Sequence, residues 1–394
     1  MSRSVASRPR SRRFLFIALC VVAVVFTGCV RGPSSASRAP DLRSDVVPVS
    51  GCENGRTDQT DLSVGRLPAR CTAGAPAPQP LSQPVKLRVS IAFRGEYAAP
   101  VLLAQSLGEF EKENLSVEFV TLPTSDAIPQ MSQGQLDAAV GGYDLSLFNA
   151  SRIGLTVRAV LGNYYPPSAG DYSVQQTGLW CRRDAFTTPE SPDPTETQKL
   201  RWGSAVGKSS SGIYYAIAEL KKRVPDFNGD ALAVVNIPSS EMTTGLKNGV
   251  IDCAVLIDPV WIDFATPEYV LMATQLPGEP LGAVLFGKSL LRDTPAVGDA
   301  FARAVIRTIN TYLSGDYHQD PSVMAAIATA INQPVALLAR TSSLTMDWEI
   351  RQDTTTRMQQ EFIDLDVITA YENPVPEEKL VDRSFYEHAT GRTN

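Results

Sequence analysis

From residue 85 onward the sequence predicts an α/β fold: two lobes of mainly parallel sheet with flanking helices and a cleft between them. Three observations carry the prediction. Short β-like runs alternate with stretches of helical period, the pattern of parallel strands joined by helices. About 310 residues follow residue 84, more than one small core usually covers, so two lobes are expected. A unit also recurs: VTLPTSDAIPQMSQGQLDAAV, residues 120–140, aligns without a gap on VNIPSSEMTTGLKNGVIDCAV, residues 235–255.

The elements follow in chain order. The opening stretch, MSRSVASRPRSRRFLFIALCVVAVVFTGC, sets five arginines ahead of an apolar run over residues 14–26, the charge-then-apolar order of a secretory signal. The run is too short to span a bilayer, so residues 1–28 are expected to be a signal peptide. Phe26-Thr27-Gly28-Cys29 resembles the lipobox of bacterial lipoproteins, with Phe26 where Leu is usual. That resemblance implies a lipid on Cys29, a cell-membrane anchor on the extracytoplasmic face, with each buried CH₂ adding about 0.8 kcal/mol. Loss of the signal removes five arginines and no acids, taking the formal charge from −6 to −11, which argues against nucleic acid as a partner. Residues 29–84 are rich in Pro, Ser, Gly, Ala and Arg without apolar periodicity, and read as a flexible linker. Cys52 and Cys71 lie inside it, and in an oxidising compartment they either close a small loop, the favoured reading, or stay as two free thiols.

VKLRVSIAF then reads as a strand, PVLLAQSLGEFEKEN (100–114) as a helix with Leu103, Leu107 and Phe110 on one face, and LSVEFVTL as a second strand. A second helix over 125–133 is closed by Gly134, and LDAAV is a third strand. In the repeat, Pro123 and Pro238 end a strand. Thr124-Ser125 and Ser239-Ser240 offer hydroxyl caps, and Asp126 and Glu241 sit in the first turn, where the helix dipole favours acid. Met131 and Leu246 take the buried face, Gly134 and Gly249 stop the helix, and Asp137 and Asp252 open the next strand. With one residue of slippage, SIAFRGEY (90–97) matches SAVGKSSS (204–211). The expected division is 85–165 for the first part of lobe 1, 166–280 for lobe 2, and 281–394 for a return to lobe 1 with C-terminal helices. Thr294-Pro295 opens a helix to about residue 314, and amphipathic segments such as PSVMAAIATAI pack on the first lobe.

In such sheets ligands bind outside the carboxyl ends of the strands. The loops at those ends are 93–97, 123–126 and 141–144 in one lobe and 207–212, 238–241 and 257–261 in the other. At these residues the chain resembles the substrate-binding proteins of ABC transporters for nitrate, sulfonates, taurine and pyrimidine thiamine precursors, with a periplasmic-binding-protein-like fold of type II. VSIAF with PVLLAQSLGEFEKENLSVEFV, then SQGQLDAAVGG, GLWCRRDAF, NGVIDCAVLIDPVW and ENPVPEEKLVDRSFYEHA carry the likeness, which covers essentially everything after residue 85. It implies a monomer whose lobes are joined by crossing segments near 164–179 and 276–285. It also implies closure on one small solute and delivery to ABC permease subunits. Ile257-Asp258-Pro259 stands where a Trp-Glu-Pro-like tripeptide is common, and Arg94 and Glu96 where small polar residues are common, so no particular solute carries over.

Arg94 and Lys208 fall in matching loops before helices whose first N–H groups are unpaired, an arrangement that favours an anion, and an Arg fork suits sulfonate or carboxylate; the alternative is two solvated charges. Ser209, Ser210 and Ser211 either cap the helix IYYAIAELKKR or donate to a ligand, and Thr124 and Ser125 share that ambiguity. Gly141-Gly142-Tyr143-Asp144 lets backbone approach a solute. Phe93, Tyr97, Tyr143 and Trp261 are candidate walls of a mostly apolar cavity. Asp258 either binds a cationic or hydrogen-bonding group or caps the turn before Pro259. Cys181 and Cys253 are placed on neighbouring strands of lobe 2, with a disulfide and two buried thiols both open. The histidines, His318 and His388, fall near the C-terminal helices rather than in these loops, so a Ser-His-Asp arrangement has no obvious base. There is no zinc-type His/Cys cluster, no GxxxxGKS/T and no GxGxxG after a strand. The expectation is a binding protein rather than an enzyme, without metal or cofactor, for a sulfonate or related organic anion first and a pyrimidine or other nitrogenous solute second. A solute sensor or protein-binding module on the same fold is a further alternative.

Overall fold

A computed structural model of the chain describes residues 47–53, 57–165, 177–205, 207–275, 278–368 and 370–392. The signal segment and Cys29 lie outside them. Strand β1 (Val85–Ile91) buries Leu87, Val89 and Ile91 and runs parallel to β2 (Leu115–Thr121) on one side and β3 (Ala138–Gly142) on the other. Helix α1 (Ala99–Ser106) connects β1 to β2, and α2 (Thr124–Ser132) connects β2 to β3. The helix expected over 100–114 stops at Ser106, because Gly108 turns the chain with φ of +76° before a 3-10 turn at Glu111–Glu113. After α3 (Leu145–Arg152), β4 (Val157–Gly162) forms the far edge of the sheet, and β5 (Tyr164–Tyr165) leads towards the second lobe.

The second lobe repeats the plan. Its strands are β6 (Gly178–Arg182), β7 (Arg201–Ser204), β8 (Ala233–Asn236), β9 (Cys253–Leu256) and β10 (Tyr269–Thr274), with helices α4 (Ser211–Arg223) and α5 (Ser239–Lys247). The chain then returns as β11 (Gly282–Gly287), antiparallel to both β3 and β4. The sheet orders are β2-β1-β3-β11-β4 and β8-β7-β9-β6-β10. Each sheet therefore takes one antiparallel strand, β11 or β6, from the chain just after it has left the other lobe.

The ungapped repeat marks matching structure. Helices α2 and α5 each span nine residues and start at the same aligned position, after Pro123 and Pro238. Asp137 Oδ2 accepts from the Arg88 N–H at 2.8 Å, and Asp252 Oδ2 accepts from the Arg201 N–H at 2.9 Å. Gly134 and Gly249 end the two helices with φ of +74° and +70°. Two details differ from the sequence reading. The N-caps are the prolines themselves, so Thr124 is the first helical residue rather than a cap. The slip between lobes is also larger by one: Ser90 lies opposite Val120 and Gly203 opposite Val235, so Ser90 corresponds to Gly203 and not to Ser204. Arg94 consequently matches Gly207, and Lys208 is not its counterpart.

The C-terminal part comprises α6 (Pro295–Tyr312), α7 (Pro321–Ile331), α8 (Val335–Leu338), β12 (Thr345–Met346), α9 (Thr354–Asp364) and α10 (Ser384–Thr390). Helices α6 and α7 pack on α1, and α10 packs on α6. Helix α9 instead reaches the second lobe, where Phe362 lies 5.4 Å from Tyr214 and 5.6 Å from Tyr215 of α4. No helix among the described residues is long and apolar enough to cross a membrane.

The reading of 29–84 as a flexible linker is corrected for its described second half. Residues 57–84 lie against the first lobe with Gln59, Arg66, Ala69 and Ala75 buried. Having few apolar side chains, the segment is held by its backbone. Arg303 donates to the Gln79 carbonyl and Arg307 to the Pro76 carbonyl, each at 2.9 Å, while Arg351 donates to the Leu67 carbonyl at 2.7 Å. Hydrogen bonds to charged groups contribute roughly 1.5–3 kcal/mol each, which replaces the apolar burial the sequence lacks. Cys52 and Cys71 form a disulfide, as do Cys181 of β6 and Cys253 of β9, which sit in register on adjacent strands.

Candidate functional site

A cavity of about 450 Å³ lies between the carboxyl-terminal ends of the two parallel strand sets, within the usual range for a small-molecule site. The first lobe contributes Phe93, Arg94 and Tyr97 after β1, Thr124 at the start of α2, Gly142 at the end of β3 and Asp144 after it. The second contributes Ser210 and Ser211 at the start of α4, Met242 of α5 and Ile257 after β9. Tyr97 donates its hydroxyl to the Phe93 carbonyl at 2.9 Å, the two rings are 4.9 Å apart, and burial pushes the phenol up to about 12. This wall is aromatic and uncharged. At Gly142 the lobes nearly touch: a Cβ there would sit 2.8 Å from Ser211 Oγ and 3.3 Å from the Leu281 carbonyl.

The structure brings together only part of the predicted set. Arg94 is at the cavity but exposed, with Nη1 donating to the Ala330 carbonyl at 3.0 Å and its guanidinium 6.0 Å from the Phe119 ring. Its charge thus faces the carboxyl end of α7, where the helix dipole welcomes a cation. Lys208 is exposed and donates to the Asp230 carbonyl at 2.6 Å, away from the cavity. Ser209 lies in the 3-10 turn Gly207–Ser209, and Ser125, half-buried, stays outside the wall beside Asp126. Tyr143 points the other way, fully buried in a small polar recess with Arg66, Tyr165 and Arg351. Asp144 is buried and works as the N-cap of α3, accepting from the Leu147 N–H at 3.1 Å; burial still pushes its carboxyl up to about 7. Asp258 and Trp261 belong to the core of the second lobe. Trp261 Nε1 donates to Asp258 Oδ1 at 2.5 Å, its ring stacks on Trp180 at 6.4 Å, and Thr177 donates to Asp258 Oδ2 at 2.9 Å. Burial pushes the Asp258 carboxyl up to about 7 against those two donors.

This arrangement has counterparts among solved structures, although no family model and no curated protein matches the chain. The nitrate-binding protein NrtA from Synechocystis PCC 6803 matches with a TM-score of 0.58 at 11% identity, over 79% of this chain and 89% of that one. The alkanesulfonate-binding protein SsuA from Xanthomonas axonopodis pv. citri, bound to MOPS, matches at 0.54 and 14% identity, over 73% of this chain and 94% of that one. The fold is that of the periplasmic binding proteins. A third example of it, the ligand-binding component of an ABC-type import system from Staphylococcus aureus with zinc bound, matches at 0.58 and 13% identity, over 79% of this chain and all of that one. Here no group of three or more His, Cys, Asp or Glu among the described residues is placed to hold a metal ion.

In this periplasmic-binding-protein fold the joint between lobes supplies wall residues that the sequence reading did not single out: Tyr164, Thr177, Gln275 and Leu281. They flank the crossings between lobes, Tyr164 in β5, Thr177 just before β6, Gln275 just after β10 and Leu281 just before β11, so the outgoing crossing expected over 276–285 already gives way to a strand at Gly282. Beside the cavity a second cluster brings the partly buried His318, which the sequence set apart from the cavity loops, onto Glu96 of loop 93–97. Glu96 Oε1 accepts from the Tyr317 hydroxyl at 2.6 Å and lies 2.7 Å from His318 Nε2. Burial alone would lower the His318 pKa, but the Glu96 hydrogen bond and charge prevail and raise it. This cluster fastens the loop after β1 to the C-terminal part.

Proposed function

We propose that the chain is an extracytoplasmic solute-binding protein of an ABC-type importer, held at the membrane by a lipid on Cys29. It captures a small organic solute between its lobes and delivers it to permease subunits. The interlobe cavity carries the reading: it lies where two matching sheets turn their carboxyl-terminal edges towards each other, the place where open α/β sheets take ligands. The solved structures sharing this fold are described as import or binding proteins, which supports transport over catalysis.

The test uses the full chain with Cys29→Ser. The expected outcome is release into the medium with solute binding intact, and a rise in melting temperature with one class of a broad solute panel. A solute at a hundred times its Kd adds about 2.7 kcal/mol of stability. If no anion, cation or neutral solute stabilises the protein, the binding role fails. If the substituted chain stays at the membrane, the anchor is misread.

A further inference from the structure

Gln275 follows directly on β10, at the start of the outgoing crossing segment. Its backbone N–H donates to the Thr177 carbonyl at 2.9 Å, which fixes the residue at the joint. The residue is only 7% exposed and borders the cavity, yet neither Oε1 nor Nε2 of its side chain has a hydrogen-bond partner. Several other polar groups of the cavity wall are engaged: Tyr97 with the Phe93 carbonyl, Thr177 with Asp258, Tyr215 with the Pro280 carbonyl, and Arg94 with the Ala330 carbonyl. An unpaired buried polar atom costs roughly 1–3 kcal/mol, and here two sit on one side chain at the edge of an open space.

Resting on the binding role proposed above, we infer that Gln275 reads the solute, and that the solute presents an amide edge on an uncharged, largely apolar body. The chemistry follows from the side chain. A primary amide offers one acceptor and two donors in one plane, so its full complement is a group with a donor and an acceptor side by side: a carboxamide or a cyclic amide. A carboxylate or sulfonate would accept from Nε2 but set its oxygens against Oε1. An ammonium would satisfy Oε1 and leave Nε2 unused. The charge balance of the wall agrees. Its two charged residues each hold a backbone group, Arg94 the Ala330 carbonyl and Asp144 the Leu147 N–H, and an ion desolvated elsewhere in the cavity would be costly. Phe93, Ile213, Met242, Val255 and Leu281 supply apolar surface for the rest of the molecule.

The experiment compares benzamide, 2-piperidone and uracil with benzoate, benzenesulfonate and benzylamine on the Cys29→Ser chain, by thermal shift and calorimetry. At least one amide is expected to bind. Its affinity should fall tenfold or more in both Gln275→Leu and Gln275→Glu, since a site built for a hydrogen-bonded group discriminates strongly when the pairing is lost. Gln275→Leu removes two unpaired atoms, so its ligand-free melting temperature should be unchanged or higher, which separates lost recognition from lost folding. Binding of an ion in preference to all three amides would overturn the inference while leaving the binding role standing. So would an amide whose affinity ignores both substitutions. Silence from all six probes also overturns it, and the binding role then rests on the broad panel alone.

Discussion

The two lobes share one strand order and brace it differently. Behind the first sheet, α6 sinks Arg303 and Arg307 into a buried ionic core: Arg307 Nε lies 2.6 Å from Glu109 Oε2 and its Nη1 lies 2.9 Å from Glu113 Oε1, while Arg303 also bonds Glu113 at 2.9 Å. The same arginines hold residues 57–84 by their carbonyls. Among the described residues the second sheet shows no buried ion-pair core of this kind. It is backed by α4 and α5, and a disulfide joins β6 to β9. One lobe is stiffened by charges that must stay paired, the other by a covalent bond that narrows the unfolded ensemble.

Substitutions can break this contrast. The largest effect is expected from Arg307→Ala, which leaves two buried carboxylates short of a partner and frees the Pro76 carbonyl; breaking a buried pair costs about 3–5 kcal/mol, measurable by urea unfolding. Removing a disulfide costs about 2–5 kcal/mol and more for longer loops. Replacing Cys181 and Cys253, 72 residues apart, should therefore cost more than replacing Cys52 and Cys71, 19 apart. Hydrogen exchange in the first variant should quicken in β6 and β9 and leave β1 to β3 unchanged. Gly142→Ala acts between the lobes rather than within one. Its Cβ would press on Ser211 Oγ, a misfit of about 1–3 kcal/mol, so solute affinity should drop while urea unfolding of the ligand-free protein moves less.

The gentlest test is pH. Asp144 and Asp258, one in each lobe, have carboxyls pushed by burial from 3.8 up to about 7. Between those values the folded state holds protons that the unfolded chain releases, so their contribution is full at low pH and lost as pH rises through about 7. His318, raised from 6.5, adds to the decline as pH rises past 6.5. Melting temperature should therefore fall from about pH 5 to 8, and Asp258→Asn should flatten the curve more than a surface Asp→Asn change.

Much of the fold was legible because the repeat fixes physical roles: Pro123 and Pro238 before a helix, Gly134 and Gly249 after it, Asp137 and Asp252 gripping the neighbouring strand. Where no such residue stands, between β1 and the following loop, the alignment slipped by one and paired Arg94 with Lys208. The sequence located the cavity loops at 93–97 and 141–144 and the serines at 210 and 211, because strand order alone places those ends together. It could not tell which way a side chain turns. Tyr143 and Trp261 pack inward, and the two cations find backbone carbonyls nearby. Gln275 was missed because a crossing segment has no period to read. Residues 57–84 were missed because their partners, Arg303, Arg307 and Arg351, are distant in the chain and grip the backbone, which carries no sequence signature.

The N-terminal segment ends up attached at the joint of the molecule. Arg66 donates to the Gly278 carbonyl at 2.9 Å and lies over the Tyr165 ring at 4.3 Å, touching one residue beside each crossing segment. Arg66 lies inside the loop that the Cys52–Cys71 disulfide closes, so tension on the chain before Cys52 passes through that bond to Cys71 and leaves the contact at the joint unloaded.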